Sequence, residues 1–398
     1  MKFRLNRKIH VCIVTTAHSV DDVRVDTKIA NSFIEAGFHV SWVGPSHASS
    51  VQSNSNNDTI QYSLSTSTHR RINRLLAPIR IRRLASSVQN VDVYYAPDPD
   101  SASVALSLAR KNGARVIFDV HEVYHGALLD RWLLGLQLQH VRYLIRHHIS
   151  RICSRCDLVI GVNNAVLEQY VDINTNKLVV RNCAPLWFAE EKPADTCGTE
   201  RSTFNIMHGK SDLGRGTIQV MKAAAISNSN ANAIRILMFD QINNRDEIGI
   251  SKLNLMIQEM NLSDVVVIRP SVSIKEMPRI LQDCNVGLIA YGRGLGRDSL
   301  PNRLFEYMAA GLAIIAPVYS KEIAKIIEIE KCGILVDFED PIDISRAIVY
   351  LYQNPQICHE MGRRSREAFI KRHNWYGEVK PLIDIIRRWY PGLSNCES

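Results

Sequence analysis

Short apolar runs alternate with amphipathic helical stretches along nearly the whole chain. HVCIVTT (10–16) reads as a strand, Val25 to Ala36 as a helix closed by Gly37, and FHVSWVGP (38–45) as a second strand. VDVYYA (91–96), a helix over 101–112 ended by Gly113, and ARVIFDV (114–120) continue the series. After a long helical region (127–155), DLVIGV and KLVVRN complete it. Strands that are apolar throughout and joined by helices predict parallel sheets covered on both faces. Residues 46–68, rich in Ser, Asn and Thr, read as a loop. From Cys183 to Thr203 the periodicity fails around Pro185, Pro193 and Gly198. A second alternation follows, with FNIMHG, IRILMF, VVVIRP, VGLIAY, LAIIAP and GILVDF as its strands. The pattern predicts an α/β domain over 1–185, a linker over 186–203, a second α/β domain over 204–374, and a terminal helical segment over 375–398.

Composition changes this picture little. A chain of 398 residues exceeds one typical core, and 46% hydrophobic with 22% charged residues describes an ordinary globular protein. The net charge of +8 favours an anionic partner. The start, MKFRLNRKIHVCIVTTA, imitates a signal peptide, but its apolar run is short and holds Thr15 and Thr16, so a strand is expected. No run approaches the roughly twenty apolar residues of a spanning helix, so a cytoplasmic chain, or one peripheral to a membrane, is expected. Nine cysteines form no framework, and Cys153 with Cys156 reads as a core-facing helical turn rather than half a zinc site. RRINRLLAPIRIRR (70–83) and residues 131–155 mix cations with apolar residues and no acids. Such segments suit an anionic membrane surface, or are solvated faces whose apolar side packs inward. No nucleic-acid motif accompanies the charge, so no nucleic-acid partner is expected.

The richest stretch runs from Arg297 to Pro317, RDSLPNRLFEYMAAGLAIIAP. Pro301 fits the first turn of a helix, Leu304, Phe305 and Met308 form its apolar stripe, and Gly311 caps it. Glu306 in the second turn can hold a ribose diol, or can be a surface charge on an ordinary helix. Earlier, FNIMHG leads through Gly209 to Lys210, Arg215 and Gly216 at the mouth of another helix. Two cations flanking a helix N-terminus suit a diphosphate, although either can equally be a solvated loop residue. In the first half, His121 leaves a strand at the end where open α/β sheets bind ligands. A structural role for that histidine is the alternative. Asp98-Pro99-Asp100 invites a metal, but the helix that follows makes capping the better reading, and no metal is expected. His18, Asp21, Asp22 and Arg24 follow the first strand as a polar cluster.

Together these pieces resemble a retaining GT-B glycosyltransferase of the family 4 / group 1 type with an E-x7-E motif. The resemblance spans nearly the whole chain. LPNRLFEYMAAGLAIIAP carries it most specifically, with CGILVDFEDPIDISRAI, DDVRV, AGFHV, DVHE and HGKSDLGRG in support. It implies two Rossmann-like domains facing a central cleft, an N-terminal acceptor domain, a C-terminal nucleotide-sugar domain, and a last helix returning to the first. It implies that a sugar passes from a nucleoside diphosphate sugar to a hydroxyl acceptor with retention, with no cofactor beyond the donor. Bacterial surface polysaccharide assembly on a lipid-linked saccharide is the expected setting. On this resemblance Lys210 and Arg215 clamp the diphosphate and Glu306 holds the ribose. Gly209, Gly216, Val272, Leu300 and Asn302 complete the donor site, and His121 stands near the donor sugar. Asp298 stands where the first motif glutamate belongs, eight residues before Glu306, with a reach about 1.5 Å shorter. A nucleotide-sugar epimerase of the same fold and a non-catalytic partner subunit are the alternatives.

Overall fold

The computed structural model describes residues 7–18, 22–46, 58–63, 70–121, 139–170, 176–190, 203–211, 216–228, 233–240, 247–297 and 299–393. The chain divides into two compact units, Met1–Asn182 with Tyr376–Ser398, and Cys183–Trp375.

The first unit is built on a seven-stranded parallel sheet: β1 (His10–Val14), β2 (His39–Ser46), β3 (Asp58–Ser63), β4 (Val93–Ala96), β5 (Arg115–Val120), β6 (Leu158–Gly161) and β7 (Lys177–Val179). Their order is β3-β2-β1-β4-β5-β6-β7. Apart from exposed Arg115, the run β1-β4-β5-β6 is buried, in keeping with its mostly Val, Ile, Tyr and Phe content. Sequence periodicity misses β3, which pairs with β2 from Ser41↔Asp58 to Ser46↔Ser63 inside the expected loop. Thr59, Ile60 and Tyr62 supply its strand propensity, but as an edge strand it needs no continuous apolar run. On one side, the helices Arg70–Ala85, Pro99–Asn112 and Gln139–Cys153 pack as neighbours. Cys153 and Cys156 are buried, and burial pushes the Cys153 thiol up to about 12.

The helix Trp375–Trp389 joins this unit from Tyr376 onward. Val379, Leu382 and Ile386 form its buried stripe. Glu378 accepts from Arg181 Nε at 3.0 Å, Arg387 donates to the Ala36 carbonyl at 3.1 Å, and Tyr390 donates to the Asp92 carbonyl at 2.6 Å.

The second unit carries six parallel strands: β8 (Phe204–Lys210), β9 (Ile234–Phe239), β10 (Val266–Arg269), β11 (Val286–Leu288), β12 (Ala313–Pro317) and β13 (Gly333–Val336). Their order, β10-β9-β8-β11-β12-β13, repeats the arrangement of the first sheet. The linker expected from residue 186 begins differently. Leu186–Ala189 forms a short 3-10 turn, and Phe188 is buried in the second unit's core. Residues 191–202 of that linker lie outside the described residues. Among the described residues no helix is long and apolar enough to cross a membrane.

Candidate functional site

In each sheet, the strand order turns outward in both directions from one central pair: β1 and β4 in the first unit, β8 and β11 in the second. Open parallel sheets bind ligands beyond the carboxyl ends of such a pair, because the connecting helices diverge there and leave a crevice.

At the β8/β11 switch point, β8 ends in a bulge between Met207 and Gly209. Gly209 has φ +92, and a Cβ there would lie 3.1 Å from Arg303 Nη1 and 3.3 Å from the Tyr307 hydroxyl. The positive φ favours glycine, and a Cβ would also crowd both side chains. Gly216, with φ +75, opens the Thr217–Asn228 helix, and its Cβ would meet the Ala290 carbonyl at 3.1 Å. Lys210 is exposed at the end of β8. Its proposed partner Arg215 lies outside the described residues, as does Asp298.

The helix Asn302–Ala310 is docked on the same switch point. Pro301 is its N-cap residue rather than part of its first turn, and Gly311 closes it at φ 75. Tyr307 lies where a side chain on Gly287 would be: a Cβ there would come within 2.2 Å of the ring. Arg303 donates from Nη1 to the His208 carbonyl at 3.0 Å, and its guanidinium carbon sits 4.8 Å from the centre of the Tyr291 ring. Glu306, half-buried, follows Arg303 by one helical turn. Asn302 and Leu300 are half-buried at the helix entrance, and Leu300 and Val272 pack against the unit's core. His208 is buried. Burial, with the Arg303 charge beside it, pushes its pKa down to about 3, so it is a neutral imidazole bonded to Thr217 Oγ1 at 2.9 Å. The acidic turn after β13 is tied to the loop after β11, where Glu339 accepts from the Arg293 backbone N–H at 2.9 Å.

At the β1/β4 switch point the structure gathers residues eighty positions apart. Asp98 Oδ2 accepts from Thr15 Oγ1 at 2.7 Å and from the Thr16 backbone at 2.9 Å. His18 Nδ1 meets Asp22 at 2.8 Å while its Nε2 stands 3.5 Å from Asp98. Burial disfavours charge on His18, but the two carboxylates outweigh it and raise its pKa to about 10. Asp98 occupies the N-cap position of the Pro99–Asn112 helix, Ser101 accepts from the Asp98 backbone N–H at 3.2 Å as its capping partner, and the Asp98 side chain also serves the first-strand loop. His121 has its ring 5.0 Å from that of His18, edge-on. Burial lowers its pKa, so it is neutral at physiological pH. Beneath them Arg24 donates to both oxygens of buried Asp119 (2.8 and 2.9 Å), and the Tyr95 hydroxyl donates to the same carboxylate at 2.5 Å. Glu122 lies outside the described residues.

Sequence reading picked out Gly209, Gly216 and Glu306, which the structure brings to one switch point, and His121, which stands at the other. It missed Arg303, Tyr307 and His208 in the second unit and the pairing of His18 with Asp98 in the first. No local signal marked Arg303, which reads in the sequence as an ordinary cation near a helix start.

Comparison with known proteins bears on both units. Residues 202–368 match the family model Glycosyl transferases group 1, and residues 23–183 match Glycosyltransferase Family 4. A search of curated proteins finds no match. Sucrose-phosphate synthase from Thermosynechococcus elongatus superposes with a TM-score of 0.72 at 15% identity, covering 97% of this chain and 100% of that one. HepE from Anabaena in complex with UDP gives 0.72 at 10% identity over 96% and 100%. An Escherichia coli structure titled trehalose-6-phosphate, bound with UDP-2-fluoro glucose, gives 0.67 at 11% identity over 95% and 99%. These likenesses establish the GT-B fold. With the two matched models together covering most of the sequence, the chain belongs to the group 1 / family 4 glycosyltransferases.

Proposed function

We propose that this glycosyltransferase moves a hexose-type sugar from a nucleoside diphosphate sugar to a hydroxyl acceptor, with retention, in bacterial surface polysaccharide or glycoconjugate assembly. The observation that carries the donor reading is the β8/β11 switch point. There Gly209 lies near the end of β8, exposed Lys210 follows it, Gly216 opens the Thr217–Asn228 helix, and Glu306 lies on the neighbouring helix. That arrangement suits a diphosphate and a ribose diol. UDP and UDP-glucose are held by HepE, a protein of the same fold. Lys210, Arg215 and the helix N-terminus stabilise the departing diphosphate without a metal, and Asp298 and His121 attend the sugar. Retention rests on the resemblance of the LPNRLFEYM segment to retaining relatives.

Differential scanning fluorimetry with UDP, GDP, ADP and CMP sugars tests the donor, since a ligand of the native state raises the melting temperature. One base is expected to stand out. With that donor, Lys210→Ala and Glu306→Ala are each expected to lower kcat/KM by roughly 10- to 200-fold, the loss of about 1.5–3 kcal/mol per charged hydrogen bond. An inverted anomer in the product overturns retention, and an epimer formed from donor alone overturns transfer.

The acceptor reading rests on the helix layer of the first unit. Arg80, Arg82 and Arg83 are exposed beside Ile79, and Arg110 faces His148, Arg151 and Arg155 across a groove. Tyr143 and Leu144 are 68% and 63% exposed on the last of these helices. Side chains of residues 70–75 and the whole of 131–138 lie outside the described residues. A cationic face with protruding apolar groups suits the anionic inner surface of a cytoplasmic membrane bearing a lipid-linked saccharide. Each cation near such a surface contributes about 1 kcal/mol, so the quadruple Arg82, Arg83, Arg151 and Arg155→Gln variant is expected to bind anionic vesicles roughly 100- to 1000-fold more weakly. Unchanged sedimentation with phosphatidylglycerol vesicles sinks the membrane reading.

A further inference from the structure

The helix that bears Glu306 carries a second charged side chain, one turn earlier, that the motif does not explain. Arg303 points from the helix to the end of β8. One arm of its fork holds the His208 carbonyl at 3.0 Å, the peptide that leads into Gly209. Its face lies over Tyr291 at the end of β11. The other arm, Nη2, is sealed from solvent and has no hydrogen-bond partner. Among the described residues no carboxylate forms an ion pair with this guanidinium, and the acidic group acting on it is Glu306. Burial opposes its charge, but Tyr291, Tyr307 and Glu306 more than restore it, so the side chain remains a cation.

A buried cation without an ion-pair partner is costly, and such sites persist where a ligand supplies the missing charge. This one lies under the turn whose backbone the donor reading places against a diphosphate. Gly209 is shaped around it: a Cβ at that position would press on Nη1 at 3.1 Å. The β-bulge, the positive φ of Gly209 and the Arg303 fork are therefore one construction, in which the guanidinium holds the His208 carbonyl at the turn. We infer that Arg303 is a positioning residue for the donor, which sets the His208–Gly209 turn and gives it a fixed positive charge that the donor's diphosphate neutralises. The inference rests on the donor reading above. It explains why a strongly hydrated, flexible Lys210 at the exposed rim need not hold the phosphates alone.

Isothermal titration of the wild-type chain, Arg303→Gln and Arg303→Lys with UDP, UMP and uridine, and with the guanosine and adenosine series, tests this. Arg303→Gln is expected to weaken the preferred nucleoside diphosphate about 10- to 100-fold and to leave the matching nucleoside unchanged. Arg303→Lys, which keeps a charge but loses the fork, is expected to fall between them. It also serves as the test if the glutamine variant does not fold. Equal weakening of diphosphate and nucleoside in a folded variant means a purely structural arginine and overturns the inference. So does an unchanged preference for the diphosphate. A wild-type chain that binds no diphosphate overturns the donor reading and this inference with it.

Discussion

Arg24→Met is expected to destabilise the first unit by about 3–5 kcal/mol, because it strands a buried carboxylate. Asp119 is wholly buried and holds the Arg24 fork on both oxygens, with the Tyr95 hydroxyl as its third partner. The same guanidinium donates to the Val180 carbonyl at 3.3 Å, so the helix from Val23 is tied to the chain leaving β7. Removing the cation leaves a charge that one hydroxyl cannot compensate in a low-dielectric interior. The double variant Arg24→Met/Asp119→Leu is expected to recover much of the loss, since apolar groups of similar volume can replace a buried pair. The effect also has a sign in pH. In the wild type, burial raises the Asp119 pKa but the Arg24 charge more than reverses it, so the carboxylate titrates below its ordinary value. Its contribution is present above pH 3.8 and fades as pH falls through the lowered pKa. In Arg24→Met only the burial remains, the pKa rises, and protonation relieves the stranded charge. The difference between variant and wild type is therefore expected to shrink as pH is lowered. Urea titrations followed by circular dichroism at several pH values measure this. A constant difference down to acid pH, or a double variant as weak as the single one, would show that the pair is not the cause.

How much of this was legible beforehand depended on where each residue's partners lie in the chain. The buried strands announced themselves, because a strand covered on both faces is largely apolar; β4 and β12 are of that kind, while β5 carries Asp119 within its apolar run. β3 did not, because an edge strand shares its composition with a polar loop. Phe188 was hidden by the prolines on either side, which read as linker. Glu306, Gly209 and Gly216 could be found from local signals, since helix starts and strand-to-helix turns have their own chemistry. The His18–Asp98 contact has no such signal. It exists because β4 lies beside β1, and that adjacency follows from the strand order, not from either segment. Arg303 was visible but uninformative: an arginine near a helix start is usually solvated, and only the fold places the His208 carbonyl and the Tyr291 ring beside it.

Gly362 makes the same point from the opposite side of the Glu306 helix, and Gly362→Ala is the sharpest steric test of the donor site. The Pro355–Arg372 helix crosses the end of the Asn302–Ala310 helix so closely that a Cβ on Gly362 would lie 2.2 Å from the Gly311 carbonyl oxygen. Four residues on, Arg366 Nη1 donates to the Ala309 carbonyl at 2.7 Å, a cation at a helix C-terminus. The clash is with backbone, so no rotamer change relieves it; the two helices must separate or the Gly311 cap must move. Overpacking of this kind costs about 1–3 kcal/mol, and here the displacement is transmitted along a helix of nine residues to Glu306 and Arg303. The second unit is expected to unfold at lower urea, and the nucleotide-induced rise in melting temperature is expected to diminish. Gly392→Ala, where a Cβ meets nothing within 4 Å, serves as the control and is expected to change stability by no more than about 0.5 kcal/mol. If the two alanine variants unfold alike and bind nucleotide alike, the close crossing does not hold the Glu306 helix in place. If Gly362→Ala loses stability but keeps full nucleotide affinity, the helix is held instead from its other end, by Tyr307 on Gly287 and Arg303 on the β8 turn.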